Sequence, residues 1–117
     1  MSPFQLLAAT TALCVSPVVH DGDTVRCGAE RVRIAAIDAP EMRDSPRCRA
    51  PRRPNAWCDY AKGLASRDAL LAILRRGPVR IERQGTDRYG RTLARLTVQG
   101  RDVGAELVRM GMARRWR

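Results

Sequence analysis

Short runs in which branched and polar residues alternate predict five β-strands along the chain. In the run RVRIAAID, Val32 and Ile34 alternate with Arg31 and Arg33, which is the period of two expected of a half-buried strand. The predicted strands lie at residues 14–20, 23–27, 31–38, 78–83 and 92–99. The pattern therefore places three strands before the middle of the chain and two after it.

Between these two groups of strands, residues 60–76 are predicted to form a helix. Asp59 is suited to cap its first turn, and Gly77-Pro78 is a strong stop signal. The apolar residues that recur there at helical spacing are Leu64, Leu71 and Leu74, with Ala61, Leu70 and Ile73 beside them. A second, short helix is predicted after Asp102, carrying Val103, Leu107 and Met110 and closed by Gly111.

The resulting order of elements, βββ-α-ββ-α, predicts a β-rich α+β fold, a small closed five-stranded barrel with two helices. Residues 42–59 carry three prolines and five arginines without periodicity, which predicts a surface loop. We expect one domain over residues 14–117 and a signal-like or disordered segment over residues 1–13. The apolar run in that segment is too short to span a bilayer, so we expect no stable membrane association.

Four cysteines bear on the compartment in which the protein works. Four cysteines allow three pairings, and local pairing favours Cys14–Cys27 around a hairpin and Cys48–Cys58 across the arginine-rich loop. Disulfides imply an oxidising compartment, and we therefore expect a periplasmic or secreted protein. The alternative is four free thiols in a cytosolic protein.

The net charge of +10 adds a candidate partner to this picture. Of the 22 basic residues only Lys62 is a lysine, so the positive charge is almost entirely guanidinium. Such a chain attracts polyanions, and arginine suits bidentate contacts to phosphate. Nucleic acid or another phosphate-rich polyanion is the expected partner, although a GC-rich genome would raise the arginine content without that function.

Acids and arginines at predicted strand ends supply candidate chemistry. Asp23 and Asp38 offer hard oxygen ligands for Ca²⁺, Mg²⁺ or Mn²⁺. Arg33 and Arg91 are suited to clamp a phosphate, and Glu41 to orient or deprotonate a water. Taken singly, each of these residues is more typical of a turn, a solvated strand face or a strand exit.

Four motifs in order give these residues a common context. They are DGDTV, RIAAIDAPE, TDRYGR and AELVRMGMA. With these motifs the chain resembles the staphylococcal nuclease (thermonuclease) family from about Val18 to Arg115. The resemblance implies a five-stranded OB-fold barrel. It also leads us to expect that the third, C-terminal helix of the family is missing, together with the substrate-stacking aromatic residues that precede it.

The resemblance also implies roles for individual residues. Asp23 and Asp38 correspond to the aspartates that bind Ca²⁺, and Ala39 to a residue whose backbone carbonyl reaches the same ion. Glu41 corresponds to a proposed general base, or to a residue that positions the water. The arginines that hold the scissile phosphate correspond to Arg33 and Arg91, and a basic residue and a tyrosine at a neighbouring phosphate correspond to Arg88 and Tyr89. In this interpretation Asp21 with Gly22 makes the hairpin turn, and Asp21 need not bind the ion.

These assignments predict a Ca²⁺-dependent endonuclease, a monomer that hydrolyses DNA or RNA with little sequence specificity and leaves 3′-phosphates. The alternative is a noncatalytic nuclease-like OB module that binds nucleic acid or a protein partner. Loop 42–59 is either an electrostatic flank for the substrate or a merely solvated loop. Because Arg33 and Asp38 are five positions apart, strict alternation would send them to opposite faces of the strand, so one common site requires a bend or bulge between them.

Overall fold

Residues 12–116 are described by the computed structural model, and they form a curled, mostly antiparallel sheet with two helices. The strands are β1 (Ala12–Leu13), β2 (Val18–Asp21), β3 (Thr24–Cys27), β4 (Glu30–Ile34), β5 (Ile37–Asp38), β6 (Val79–Thr86), β7 (Thr92–Val98), β8 (Arg101–Asp102) and β9 (Arg114–Arg115). In the main sheet the strand order is β1-β6-β7-β4-β3-β2, with β8 paired to β7, while β5 and β9 pair separately. The sheet curls as a half-barrel, which confirms the predicted β-rich α+β fold of the OB type.

The parallel pairing of β4 with β7 joins the first group of strands to the second. Arg33 pairs with Leu93 and Ile34 with Ala94, while all other strand pairs are antiparallel. This pairing explains why a chain with separated groups of strands forms one sheet, because β4 and β7 are adjacent at its centre. The predicted N-terminal segment 1–13 lies outside the described residues except for Ala12 and Leu13, which form β1.

Both helices begin where their caps were predicted. Helix α1 is Tyr60–Leu74, and the Asp59 carboxylate accepts a hydrogen bond from the Lys62 amide at 3.1 Å. Helix α2 is Val103–Arg109, and Asp102 accepts from the Ala105 amide at 2.8 Å. Helix α1 ends two residues before the predicted end at residue 76. No helix within residues 12–116 is long and apolar enough to cross a membrane.

The core lies between the inner face of the sheet and the two helices. Burial of each large aliphatic side chain there stabilises the fold by about 1.5–3 kcal/mol. The largest fully buried apolar side chains are Val25, Val32, Ile34, Leu70, Ile73, Leu96, Val103 and Leu107. Leu64 is 47% exposed although its spacing predicted a core position. The reason is that the first half of α1 turns Gly63 and Ser66 toward the sheet, so its buried face carries small residues that hydrophobicity does not mark.

Two predicted strands are interrupted by residues with positive φ. Ser16, at φ 51°, separates β1 from β2 within the predicted strand 14–20. Ala36, at φ 67°, separates β4 from β5 within the predicted strand 31–38. A non-glycine residue in this region of φ is uncommon, and it changes the direction in which the following side chains point. The bend required between Arg33 and Asp38 is therefore present.

Two disulfides tie the chain together as predicted. Cys14–Cys27 joins the residue after β1 to the end of β3. It therefore links the edge strand β1 to a strand from the other end of the strand order. Cys48–Cys58 closes the predicted loop 42–59, which contains a short 3-10 helix, Pro46–Cys48. The first bridge lies in the sheet scaffold and the second in a surface loop.

Candidate functional site

The turn between β2 and β3 carries Asp23. Asp21 pairs with Thr24, so the two turn residues are Gly22 and Asp23, one position later than the predicted Asp21-Gly22 turn. The Asp23 amide donates to the Asp21 carboxylate at 3.1 Å, which fixes the turn. A Cβ atom on Gly22 would collide with the Ser66 hydroxyl. The turn can therefore pack directly against α1 only with glycine at this position.

The carboxylate of Asp23 joins the hairpin turn to the end of β5. One oxygen, Oδ2, accepts from the Ala39 amide at 2.9 Å, and the other, Oδ1, accepts from the Thr24 hydroxyl at 3.0 Å. Asp23 is only 8% exposed. These contacts hold Asp23 and Ala39, which are 16 positions apart in the chain, within one hydrogen bond of each other.

Arg33 fills the inside of the bend at Ala36. Its Nη1 donates to the Ile34 and Ile37 carbonyls at 3.0 and 2.9 Å. Its Nη2 lies 3.6 Å from Asp23 Oδ2 and 3.9 Å from Asp38 Oδ1. The guanidinium therefore lies between the two aspartates, and the bend is what brings it to the same side as Asp38.

Asp38 has a second arginine partner that the sequence did not reveal. Its side chain is 1% exposed, and Oδ2 accepts from Arg114 Nε at 3.0 Å and lies 2.9 Å from Arg114 Nη2. Arg114 comes from β9, donates to the Asn55 carbonyl at 2.7 Å, and stacks 5.0 Å from the Trp57 ring centroid. Its pairing with Asp38 spans 76 positions, so no local pattern could have indicated it.

Glu41 follows β5 and is held by the disulfide loop. Its backbone amide donates to the Trp57 carbonyl at 2.7 Å. Its carboxylate accepts from the Ser45 hydroxyl at 2.6 Å and from Arg47 Nη1 at 3.2 Å. A Cβ atom on Gly63 would collide with the Glu41 carbonyl, so glycine at this position lets α1 approach the site. Ser45 and Arg47 were not predicted as parts of the site.

The remaining predicted residues lie in the turn between β6 and β7. Arg91 Nε binds Asp87 Oδ2 at 2.8 Å, and Asp87 Oδ1 also accepts from the Tyr89 amide at 2.9 Å. Tyr89 is 63% exposed, and the guanidinium carbons of Arg91 and Arg88 lie 5.6 and 5.9 Å from its ring centroid. This turn is an exposed cluster of arginine and tyrosine.

The parallel pairing of β4 with β7 relates this turn to the aspartates. Arg33 pairs with Leu93, and Arg91 directly precedes Thr92, the first residue of β7, so it lies outside the paired strands. Within residues 12–116 no hydrogen bond or ion pair joins Arg91 to Asp23, Asp38 or Glu41. The structure thus brings Asp23, Arg33, Asp38 and Ala39 into direct contact and leaves Arg91 at the start of the neighbouring strand, without a contact to them.

Asp21 belongs to the electrostatics of this site, which the sequence interpretation missed. Burial raises the pKa of Asp21 from 3.8 to about 8, and the charge of Asp23, a hydrogen bond with Asp23 and the charge of Glu41 add to the rise. The signal available in the sequence was the spacing itself, since two acids two positions apart at one tight turn lie close together. The carboxylates of Asp21, Asp23 and Glu41 therefore interact.

The donor set suits a hard divalent cation. Asp23 and Asp38 supply carboxylate oxygens and Ala39 a backbone carbonyl, and Ca²⁺ prefers such ligands. Asp21 lies next to them, and burial, followed by the charge of Asp23, raises its pKa. Within residues 12–116 no three His, Cys, Asp or Glu side chains converge as a complete set of ligands, so water would have to complete the coordination. The residues fit a weakly held, open metal site.

Comparison with known families agrees with this geometry. The family model described as "Staphylococcal nuclease homologue" matches residues 31–117. The chain belongs to the staphylococcal nuclease family. The matched part contains Arg33, Asp38, Glu41 and Arg91, whereas the turn that carries Asp23 precedes it.

Three curated relatives extend the comparison. An "Uncharacterized endonuclease" of Haemophilus influenzae is 34% identical over 100 residues, covering 81% of this chain and 47% of the relative. "Succinoglycan biosynthesis protein ExoI" of Rhizobium meliloti is 38% identical over 97 residues, covering 81% and 48%. "Protein ParB" of Escherichia coli is 34% identical over 108 residues, covering 81% and 52%. The chain thus spans about half the length of the curated relatives it matches.

Proposed function

We propose that the protein is a Ca²⁺-dependent endonuclease that hydrolyses DNA or RNA with little sequence specificity and leaves 3′-phosphates. The observation that carries the proposal is the position of Arg33 between the buried carboxylates of Asp23 and Asp38. A guanidinium between two acids at the end of the central strand β4 combines a phosphate contact with hard metal ligands. Family membership makes nucleic acid the expected phosphodiester.

Arg33 and Arg91 are proposed to hold the scissile phosphate. The Nη2 atom of Arg33 lies 3.6 and 3.9 Å from its two carboxylate partners, longer than a hydrogen bond, so its donor capacity is available to a phosphate oxygen. Arg91 directly precedes β7, the strand that pairs with β4, and from there it is proposed to reach the same phosphate as Arg33. Their charge stabilises the negative charge that develops as the phosphodiester bond breaks.

Asp23, Asp38 and the Ala39 carbonyl are the residues proposed to hold Ca²⁺. A bound divalent ion polarises a phosphoryl oxygen and neutralises its charge. Within residues 12–116, Oδ1 of Asp38 has only the long contact to Arg33, so it retains acceptor capacity for a cation. The salt bridge from Arg114 to the other oxygen fixes the direction of the Asp38 carboxylate.

Glu41 is proposed to accept or direct the proton of the attacking water. As the water oxygen bonds to phosphorus, its proton passes to the Glu41 carboxylate. The bond from phosphorus to the 5′-oxygen breaks, and that oxygen leaves with the electron pair and takes a proton from solvent. The products are a 3′-phosphate and a 5′-hydroxyl. Glu41 is three residues beyond Asp38 and its side chain is 13% exposed, which suits contact with one water.

Arg88 and Tyr89 are proposed to contact the substrate beside the cleaved bond. The exposed tyrosine ring suits stacking on a base, and the flanking arginines suit phosphate. The net charge of +10 supplies affinity that does not depend on sequence and that falls as salt increases. The two disulfides support a periplasmic or secreted location, and we expect a monomer.

Digestion of single-stranded DNA tests this function. Purified, oxidised protein is incubated with labelled oligonucleotide in Ca²⁺ or in chelator, binding is measured in parallel, and product ends are identified. We expect cleavage in Ca²⁺ only, with 3′-phosphate ends. Binding without cleavage in Ca²⁺ would instead support the noncatalytic nucleic-acid-binding module.

A further inference from the structure

A loop, and not the sheet, determines the direction of the Glu41 carboxylate. Ser45 donates to Oε1 at 2.6 Å and Arg47 to Oε2 at 3.2 Å. Each carboxylate oxygen can accept more than one hydrogen bond, so both keep acceptor capacity for a water or substrate proton. Rotation of the carboxylate about its terminal bond would break one or both of these contacts.

The 3-10 helix Pro46–Cys48 fixes Ser45 and Arg47 relative to each other. The Ser45 hydroxyl caps this helix by accepting from the Arg47 amide at 3.3 Å, and the Ser45 carbonyl accepts from the Cys48 amide at 3.2 Å. The serine that donates to Glu41 therefore also closes the turn that carries Arg47. One short turn sets the positions of both donors.

The Cys48–Cys58 disulfide joins this turn to the second attachment of Glu41. Cys48 follows Arg47 directly, and Cys58 follows Trp57, whose carbonyl accepts from the Glu41 amide at 2.7 Å. The bridge thus connects the residue that binds the Glu41 side chain to the residue that binds its backbone. Without the bridge, each attachment would depend on a polar loop rich in proline and arginine.

We propose that Arg47 is a positioning residue for Glu41 and that the Cys48–Cys58 disulfide holds Arg47 in that position. The proposal rests on the proposed function, because it gives Arg47 a role through the proton transfer assigned to Glu41. The Arg47 side chain is 38% exposed and that of Glu41 13%, so the contact lies at the edge of the site, where the loop meets it. An acid that takes a proton from water acts efficiently only when it is correctly directed.

Steady-state cleavage of single-stranded DNA by Arg47→Ala and Arg47→Lys tests the proposal. We expect Arg47→Ala to lower kcat by about 10- to 100-fold with KM changed less than about threefold, since misdirection of a catalytic group affects the chemical step. Arg47→Lys keeps the charge with a single donor, and it should restore part of kcat. The matched control is Arg52→Ala, because Arg52 is an exposed arginine of the same loop that makes no side-chain hydrogen bond or ion pair within residues 12–116.

If the wild-type protein cleaves DNA, three results with Arg47→Ala would overturn the proposal. A kcat of Arg47→Ala within twofold of wild type would show that Glu41 does not need Arg47. An increase in KM alone for Arg47→Ala would show that Arg47 contacts the phosphate of the substrate. A higher kcat would show that Arg47 inhibits Glu41 in the wild-type protein. If wild-type protein itself does not cleave in Ca²⁺, the proposed function fails and this proposal fails with it, a result distinct from the other three.

Amide hydrogen exchange tests the role of the disulfide without any activity. In Cys48→Ala/Cys58→Ala we expect the Glu41 amide to exchange at least about tenfold faster than in wild type, because its bond to Trp57 is no longer held in the closed loop. The Ala35 amide, which donates to Ala94 at 2.9 Å in the sheet, is the internal control and should keep its rate. Unchanged protection of Glu41 in this variant would overturn the role given to the bridge.

Discussion

The two halves of the candidate site are built in different ways. Asp23, Arg33 and Asp38 lie at a hairpin turn and at a bend between two strands, so the backbone of the sheet sets their positions. Glu41 lies beyond the sheet, and a disulfide-closed loop provides Ser45 and Arg47 to hold it. The comparison teaches that the sheet fixes the candidate phosphate and metal ligands, whereas a loop closed by a disulfide holds the candidate base. The two halves should therefore respond separately to mutation.

Replacement of Arg33 should give the largest effect on the sheet-built half. Arg33→Ala removes the only cation within hydrogen-bonding or ion-pairing distance of Asp23 in the described residues, together with a proposed phosphate contact. We expect the cleavage rate of single-stranded DNA to fall by about 10²–10³-fold while binding persists. Arg80→Ala is the control, since Arg80 is an exposed strand arginine without a side-chain contact within residues 12–116. Equal cleavage rates for Arg33→Ala and Arg80→Ala would show that Arg33 has no role in cleavage.

Removal of each disulfide in turn should separate stability from activity. The bridges span 13 and 10 positions, so loop-closure entropy gives each a similar contribution of about 3 kcal/mol to the free energy of unfolding. Cys14→Ala/Cys27→Ala should lower stability in urea without changing kcat, whereas Cys48→Ala/Cys58→Ala should lower both. Activity is measured at a temperature at which both variants are folded. A loss of kcat in Cys14→Ala/Cys27→Ala but not in Cys48→Ala/Cys58→Ala would contradict the assignment of the second bridge to the site.

A methyl group on Gly22 should disturb the contact between the hairpin turn and α1. A Cβ atom there would meet the Ser66 hydroxyl and lie 2.7 Å from the Ala39 Cβ atom. We expect Gly22→Ala to lower the free energy of unfolding by about 1–3 kcal/mol, the usual cost of overpacking. The control is Gly77→Ala, whose new methyl group would lie 3.7 Å from its nearest neighbour, and it should change stability by less than about 0.5 kcal/mol. A Gly22→Ala protein as stable as the control would show that the turn does not sit on α1.

Glu30, at the opposite end of β4 from the bend, should give the smallest effect. Hydrogen bonds from Arg83 and Thr92 lower the pKa of Glu30 from 4.5 to about 2. A folded-state pKa below the unfolded value stabilises the protein above pH 4.5, and this contribution is lost as the pH falls toward 2.

We therefore expect unfolding experiments to show a smaller loss of stability between pH 5 and pH 2 for Glu30→Gln than for wild type. Glu82→Gln is the control, because Glu82 is exposed and without a side-chain partner within residues 12–116. Neither variant should change cleavage at neutral pH. If the stability of Glu30→Gln depends on pH as that of wild type does, Arg83 and Thr92 do not lower the pKa of Glu30.

Much of the sheet-built half was predictable because its signals are local. The alternation in β4 and the spacing from Arg33 to Asp38 required a bend, and Ala36 provides it. The sequence could not predict the ion pair of Arg114 with Asp38, since it depends on β9 pairing with β5 across the fold.

The loop-built half was predictable only in outline. Spacing favoured the Cys48–Cys58 bridge, but nothing in the run of prolines and arginines distinguished Arg47 from its neighbours. The buried face of α1 was also hidden, because Gly63 packs against the Glu41 carbonyl and Ser66 against Gly22, and neither residue type carries a hydrophobic signal.

The central claim is that Asp23 and Asp38 hold Ca²⁺ beside Arg33 in a nuclease site. A titration of Ca²⁺ against the initial rate of DNA cleavage tests it most directly, with wild type and Asp23→Ala compared at the same substrate concentration. We predict that wild type is inactive in chelator and saturable by Ca²⁺, and that Asp23→Ala needs at least about tenfold more Ca²⁺ for half-maximal rate, since so few protein ligands make each one important. Cleavage by wild type in chelator, or the same half-maximal Ca²⁺ concentration for both proteins, would contradict the claim.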